Sequence, residues 1–260
     1  MDILKKITET KAGEVFRQKG EVTVEQLKMS RLFNRPCNSL KSSLLDLESS
    51  GIIAEFKQRS PSAGAINVVN KVEKVTMDYV NAGAAGLSVL TDSEYFGGSL
   101  DNLRKARKTN PDIPLLRKDF IIDQYQVYES KASGADVILL IAACLTKEKA
   151  ELFAKEAKSL GMEVIMEIHD SEELCMLNDF IDIVGINNRN LKSFKVDIDT
   201  SVKLSGQISD KYVKISESGL SSPQDIKYLK KYGFRGFLIG ENFMRSSDPG
   251  LSCKLFIEKL

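Results

Sequence analysis

The 260-residue chain has a single histidine, His169, so a histidine-based triad or a multi-histidine metal centre has almost nothing to be built from. Acid–base chemistry would fall to Lys, Glu and Asp. Its four cysteines, Cys37, Cys144, Cys175 and Cys253, are scattered without a Cys-x-x-Cys spacing, which argues against a zinc site and a disulfide framework. Scattered thiols and no secretory leader point to the cytosol. Charge of neither sign is in excess: the formal net charge is +1, with no basic surplus to suggest nucleic acid and no acidic tail. The longest apolar run, residues 137–145, falls far short of the roughly 20 residues that span a bilayer, so no membrane partner is expected. A Gly-x-Gly-x-x-Gly dinucleotide fingerprint is also missing.

What is present is a rhythm that begins at Ile52. Apolar runs rich in β-branched residues predict strands over 52–56, 86–91, 115–120, 137–142, 164–169, 183–189, 212–219 and 236–240. Helical patterns lie between and after them, over 71–82, 100–108, 124–133, 147–160, 171–177, 198–204, 223–232 and 250–259. Thr146 before one helix and Gly161 after it, and Ser222 followed by Pro223 before another, are sensible ends. Near-continuous apolar strands imply a parallel sheet buried on both faces. Eight strand–helix units fit an α/β fold with a single (β/α)8 TIM barrel over 49–260, and an open doubly wound sheet would carry the missing glycine fingerprint after its first strand. Residues 1–48 read as an N-terminal helical extension, with a first helix ending near Gly20 and a short second one capped by Thr23.

In such barrels the chemistry sits at the C-terminal ends of the strands. Glu55 and Lys57, two apart on the first strand, project to the same side; alone they read equally well as a structural ion pair or as part of a site. The later strand ends supply Lys118, Glu167, Asn187, Arg189 and Glu217, and charges converging on one volume are poorly explained by stability. Arg117 alternates with Lys118 and should face the helices, whereas Asp119 and Asp170 are expected to cap the helices that follow. His169 is expected behind the site, supporting it. Ser218-Gly219 and Gly240-Glu241 offer backbone N–H groups where barrels bind phosphate, close to Ser60 after the first strand. A phosphorylated small-molecule substrate processed by proton transfers, with no metal and no cofactor, fits this inventory.

These residues resemble the indole-3-glycerol phosphate synthase family. The likeness lies in Ile53-Ala54-Glu55-Phe56-Lys57 with Ser60-Pro61-Ser62, Ser88-Val89-Leu90-Thr91-Asp92 and Leu116-Arg117-Lys118-Asp119-Phe120. It continues in Met166-Glu167-Ile168-His169, Gly185-Ile186-Asn187-Asn188-Arg189, Ser216-Glu217-Ser218-Gly219 and Leu238-Ile239-Gly240-Glu241. The resemblance implies the decarboxylating ring closure of 1-(2-carboxyphenylamino)-1-deoxyribulose 5-phosphate by a lyase of tryptophan biosynthesis. It implies Lys118 as general acid on the ketone, Lys57 as an acid in the later dehydration, and Glu55 and Glu167 as base or cation stabiliser. Asn187, Arg189, Glu217 and Ser218 would orient the substrate, with Ser60 also in contact, and Gly219, Gly240 and Glu241 would take the phosphate. Phe96, Phe120 and Leu191 are expected to wall the anthranilate ring. Where the family often has Lys-Gly after Ser-Pro-Ser, this chain has Ala63-Gly64. The N-terminal helix is also similar to that family's extension, which implies that it closes over the active site, and a monomer is expected. Two alternatives remain: phosphoribosylanthranilate isomerase, disfavoured by the Glu-x-Lys first strand, and a degenerate phospho-ligand-binding barrel.

Overall fold

Residues 3–191 and 193–260 are described by a computed structural model. Eight parallel strands close into a barrel: β1 (Ile52–Phe56), β2 (Gly86–Leu90), β3 (Leu115–Lys118), β4 (Val137–Ile141), β5 (Glu163–Ile168), β6 (Ile183–Asn187), β7 (Val213–Glu217) and β8 (Phe234–Ile239). Closure is made by β1, which pairs with both β2 and β8. The expected TIM barrel is therefore the observed one. Several expected strands end earlier, among them β3 at Lys118 and β7 at Glu217, and β6 stops at Asn187, where the chain doubles back and Arg189 pairs antiparallel with Val196.

Strand periodicity sorts the side chains. Ile53, Leu116, Leu139, Ile165, Ile183, Ile215 and Leu238 fill the barrel interior. Their neighbours Ile52, Leu115, Leu140, Met166, Ile186 and Phe237 pack outward against the helices. Two residues on from an interior position is again an interior position. Glu55, Lys118, Glu167 and Glu217 each follow an interior apolar residue by two, which places all four on top of the same stack.

Eleven α-helices are found among the described residues: α1 (Ile3–Glu21), α2 (Val24–Lys28), α3 (Leu40–Leu45), α4 (Val72–Asn81), α5 (Leu100–Thr109), α6 (Tyr125–Ala132), α7 (Lys147–Ser159), α8 (Asp199–Ser205), α9 (Pro223–Lys230), α10 (Glu241–Met244) and α11 (Pro249–Ile257). Their ends follow the sequence signals: Thr23 and Ser222 each close a capping box, and Thr146 caps α7. The helix expected over 171–177 is instead a 3-10 turn, Glu172–Met176. Asp170 accepts the N–H groups of Glu172 and Glu173, and Glu173 folds back onto the His169 N–H, so the segment is pulled too tight for an α-helix. Periodicity did not mark α3, which plugs the N-terminal end of the barrel with Leu40 and Leu44. α1 lies across the opposite end, with Ile3, Leu4 and Ile7 over the C-terminal mouth.

A buried carboxylate ties the plug to the sheet. Asp136 accepts from the Asn38 N–H at 3.0 Å and the Leu115 N–H at 2.9 Å, and pairs with Arg35 and Arg107. Arg107 also reaches the carbonyls of Asn110, Ile113 and Gly134. Removing one partner of such a network leaves buried charge uncompensated. Asp136→Ala is expected to lower unfolding stability by about 3–5 kcal/mol, read as a drop in the urea midpoint. An unchanged midpoint would refute this role.

Candidate active site

A cavity of about 440 Å³ opens at the C-terminal end of the barrel, within the size of small-molecule sites. Every candidate site residue named from the sequence lines it, from Glu55 and Lys57 to Gly240 and Glu241. At its floor the Lys118 ammonium lies 2.7 Å from Glu167 Oε2 and 2.6 Å from Glu217 Oε2. Beside this bridge Lys57 meets Glu55 Oε1 at 2.9 Å, and the Ser88 hydroxyl donates to Glu55 Oε2 at 3.2 Å. The three glutamates are 2–3% exposed, so their charges interact through protein rather than water.

Two glycines make room for these carboxylates. A Cβ on Gly185 would lie 2.7 Å from Glu217 Oε1, and one on Gly240 would lie 2.5 Å from Glu55 Oε1. Asn187 is oriented by its own loop: the Arg189 N–H donates to its Oδ1, leaving Nδ2 to donate to Glu167 Oε1 at 2.9 Å. Asn188, adjacent but buried, donates to the Ser216 hydroxyl and the Ser218 carbonyl and so holds the loop after β7. That loop carries Ser218 and Gly219 at φ of 71° and 75°. Ser218 is one of two non-glycine residues in the left-handed region among those described, a strain typical of functional positions. Across from it α10 starts at Glu241, and first-turn N–H groups have no acceptor within their own helix. The Glu241 carboxylate itself is taken by Arg245 at 2.7 Å, with Arg189 at 3.9 Å. For an anion, α10 therefore offers its N–H groups and Arg245, not the Glu241 side chain.

The electrostatics separate the two glutamates on Lys118. Burial disfavours ionisation of Glu167, but Lys118 and His169 outweigh it and hold the carboxyl well below the usual carboxylate range. Glu217 goes the other way: burial, then repulsion from Glu167, push it up to about 7 against the pull of Lys118. Among the described residues its Oε1 has no hydrogen-bond donor. Burial opposes the charge on Lys118, yet Glu167, Glu217 and Glu55 raise it above an ordinary lysine. His169 lies behind the cavity, with Nε2 3.3 Å from Glu167 Oε1 and Nδ1 3.3 Å from Glu173. Burial lowers its affinity for a proton, but the two glutamates prevail and lift it to about 10, so it is a cation at neutral pH.

Arg117 faces outward, as its register requires, and pairs with Glu129 at 2.8 Å and Asp119 at 2.9 Å. The expectation that Asp119 caps the following helix is corrected. Its carboxylate takes the Thr91 hydroxyl, Arg117 and Lys11 of α1, and only the adjacent Phe120 N–H beyond them. Asp170 does cap its 3-10 turn. The family resemblance implied that the N-terminal helix closes over the site, without naming Ile3, Leu4 and Ile7 as its walls, and sequence reasoning missed Leu139 and Ile141 from β4, a strand whose end looked empty. It also missed Arg245, whose one signal was a cation four residues after Glu241. The aromatic walls Phe96 and Phe120 stand with ring centroids 6.0 Å apart.

The sequence profile described as indole-3-glycerol phosphate synthase matches residues 4–256. The indole-3-glycerol phosphate synthase of Bacteroides thetaiotaomicron is 47% identical over 259 residues, covering 100% of this chain and 99% of that protein. The enzyme of the same name from Neisseria meningitidis serogroup B is 43% identical, covering 95% of this chain and 96% of its own. Among solved structures, a tryptophan synthase alpha chain from Legionella pneumophila superposes with a TM-score of 0.61 at 14% identity, covering 85% of this chain and 95% of that one. The 3-hexulose-6-phosphate synthase of Salmonella typhimurium gives 0.64 at 14% identity, covering 81% and 98%. At that identity the two structures speak for the barrel alone.

The raised carboxyl of Glu217 has a consequence for stability. Between about pH 4.5, its ordinary value, and about 7, the folded protein holds a proton there that the unfolded chain has released. Its contribution to stability is full below 4.5 and is lost as pH rises through 7, each pK unit being worth about 1.4 kcal/mol. The stability of wild type relative to Glu217→Gln, measured by urea unfolding at successive pH values, should fall across that window. A difference that rises or stays flat would contradict the assignment.

Proposed function

The chain belongs to the indole-3-glycerol phosphate synthase family, and from that premise we propose how its residues share the reaction. It is a carboxy-lyase of tryptophan biosynthesis acting on a phosphorylated small molecule. The conversion takes 1-(2-carboxyphenylamino)-1-deoxyribulose 5-phosphate to indole-3-glycerol phosphate, carbon dioxide and water. One observation carries the assignment of roles: the Lys118 ammonium held between Glu167 and Glu217 at the cavity floor.

Ring closure joins an anthranilate carbon to the substrate ketone and pushes an electron pair onto the ketone oxygen. Lys118 donates the proton that this oxygen takes up. The ring is then positively charged. Glu167, kept ionised by Lys118 and His169, stabilises that cation until carbon dioxide leaves with its bonding electrons left behind in the ring. Glu217, 2.6 Å from Lys118 and titrating near 7, can return a proton to it. Dehydration needs an acid for the departing hydroxyl and a base for the carbon-bound proton. Lys57 and Glu55, in contact at 2.9 Å, supply both.

Binding follows from the remaining lining. The phosphate sits on the N–H groups of Gly219 and the start of α10, within reach of Ser60, Ser218 and Arg245. Arg189 and Lys57 face the substrate carboxylate. Phe96, Phe120 and Leu191 enclose the anthranilate ring. A degenerate binding barrel would have lost one of Lys57, Lys118 or Glu167, and all are present and in contact with a partner.

Lys118→Ala and Glu167→Gln should each lower kcat by about a hundredfold or more, the scale of a positioned acid or a fixed charge. Appearance of indole fluorescence from the carboxyphenylamino-deoxyribulose phosphate reads this directly. Turnover near wild type in either variant would overturn these roles.

A further inference from the structure

α1 is held to the barrel at several points along its length. Its C-terminal half packs by Val15 among Tyr125, Ala132, Leu27 and Phe33, and Lys19 reaches Asp123 at 2.7 Å. Its N-terminal half carries the cavity-lining Ile3, Leu4 and Ile7, and Tyr95 of the loop after β2 shares a hydrogen bond with the Thr10 hydroxyl at 3.0 Å and donates to the Lys6 carbonyl at 3.5 Å. Between the halves stands Lys11, a lysine only 4% exposed. Its ammonium lies 2.7 Å from Glu14, 2.9 Å from Asp92 and 3.1 Å from Asp119. A buried lysine in a helix that crosses an active site calls for a physical reason.

Both aspartates are tied to the cavity. Asp92 lies two residues past the end of β2, and its Oδ1 accepts the N–H groups of Tyr95 and Phe96, the latter an aromatic wall. Its Oδ2 faces the Lys11 ammonium at 2.9 Å and has no other donor among the described residues. Asp119 follows Lys118 directly. One of its oxygens is taken by Thr91 and Arg117, leaving the other to Lys11 and the adjacent N–H. Burial works against the charge on Lys11, but Asp119, Asp92 and Glu14 keep it ionised above the ordinary range. A neutral group there would leave buried carboxylates short of a counter-charge.

We propose that Lys11 is a positioning residue for this active site: its ammonium latches α1 to Asp92 and Asp119, and so holds Ile3, Leu4 and Ile7 as the apolar roof over the bound anthranilate ring. The roof touches ground state and transition state alike, so losing it weakens binding and leaves the chemical step in place. A purely structural lysine would behave differently: its loss would remove active molecules, lowering apparent kcat at constant KM. The kinetic consequence rests on the synthase reading, whereas the latch itself does not.

The test combines hydrogen exchange of the free protein with steady-state kinetics. In Lys11→Met, amides of residues 3–12 should exchange at least about tenfold faster while β1 to β8 keep their protection. KM should rise at least about tenfold with kcat within about threefold of wild type. Asp92→Asn placed on Lys11→Met keeps the Oδ1 that holds Phe96 and removes one uncompensated charge; this double variant decides the matter if the single one does not fold. It too should show a loose α1 and a raised KM. Wild-type protection of α1 in a folded variant, or a fall in kcat with KM unchanged, overturns the proposal. Should wild type make no product, the synthase reading fails, and the exchange measurement still decides the latch.

Discussion

One ammonium between two buried carboxylates sets the terms for the rest of this barrel. Lys118 can stay charged at the floor of a largely apolar interior because Glu167 and Glu217 flank it at 2.6–2.7 Å. Neither glutamate could be ionised there alone. The three residues sit on β3, β5 and β7, so the bridge exists only if the sheet closes with each strand in register. Gly185 and Gly240 give the carboxylates space, and Asn187 and His169 fix the face of Glu167 turned from Lys118. Two like carboxylates sharing one cation cannot have equal proton affinities. Lys118 and His169 drive Glu167 low, while burial and repulsion from Glu167 drive Glu217 up, and on the proposed reading the first is a fixed charge and the second a proton carrier.

The N-terminal segment completes the barrel at both ends by different physics. α3 closes the bottom with leucines, which is ordinary core packing. α1 closes the top with a buried cation set on two aspartates of the strand ends. Apolar burial is non-directional, whereas an ammonium among carboxylates fixes where a helix crosses. That is what a surface over a reacting ring requires.

Much of the site was legible because a strand has period two. Once Glu55, Lys118, Glu167 and Glu217 are read as interior positions at strand ends, their convergence follows from the barrel itself. Arg117 was placed outward by the same rule. What escaped was whatever depends on docking between distant segments. Asp119 looked like a cap because its partner Lys11 lies over a hundred residues earlier on another element. Ile3, Leu4 and Ile7 carry an ordinary amphipathic pattern, so the resemblance implied a helix over the site while nothing local marked these three as its walls. α3 is six residues long, too short for periodicity to register. The β4 end offered no charge, and its contribution is two apolar walls, Leu139 and Ile141.

The central claim is that Lys118 acts by giving up a proton and not by its charge alone. Arginine in its place keeps the charge and the two carboxylate partners but holds its proton at any accessible pH. Lys118→Arg should therefore retain most substrate binding, measured as KM, and lose about a hundredfold or more in kcat. A Lys118→Arg enzyme turning over within a few-fold of wild type would contradict the account.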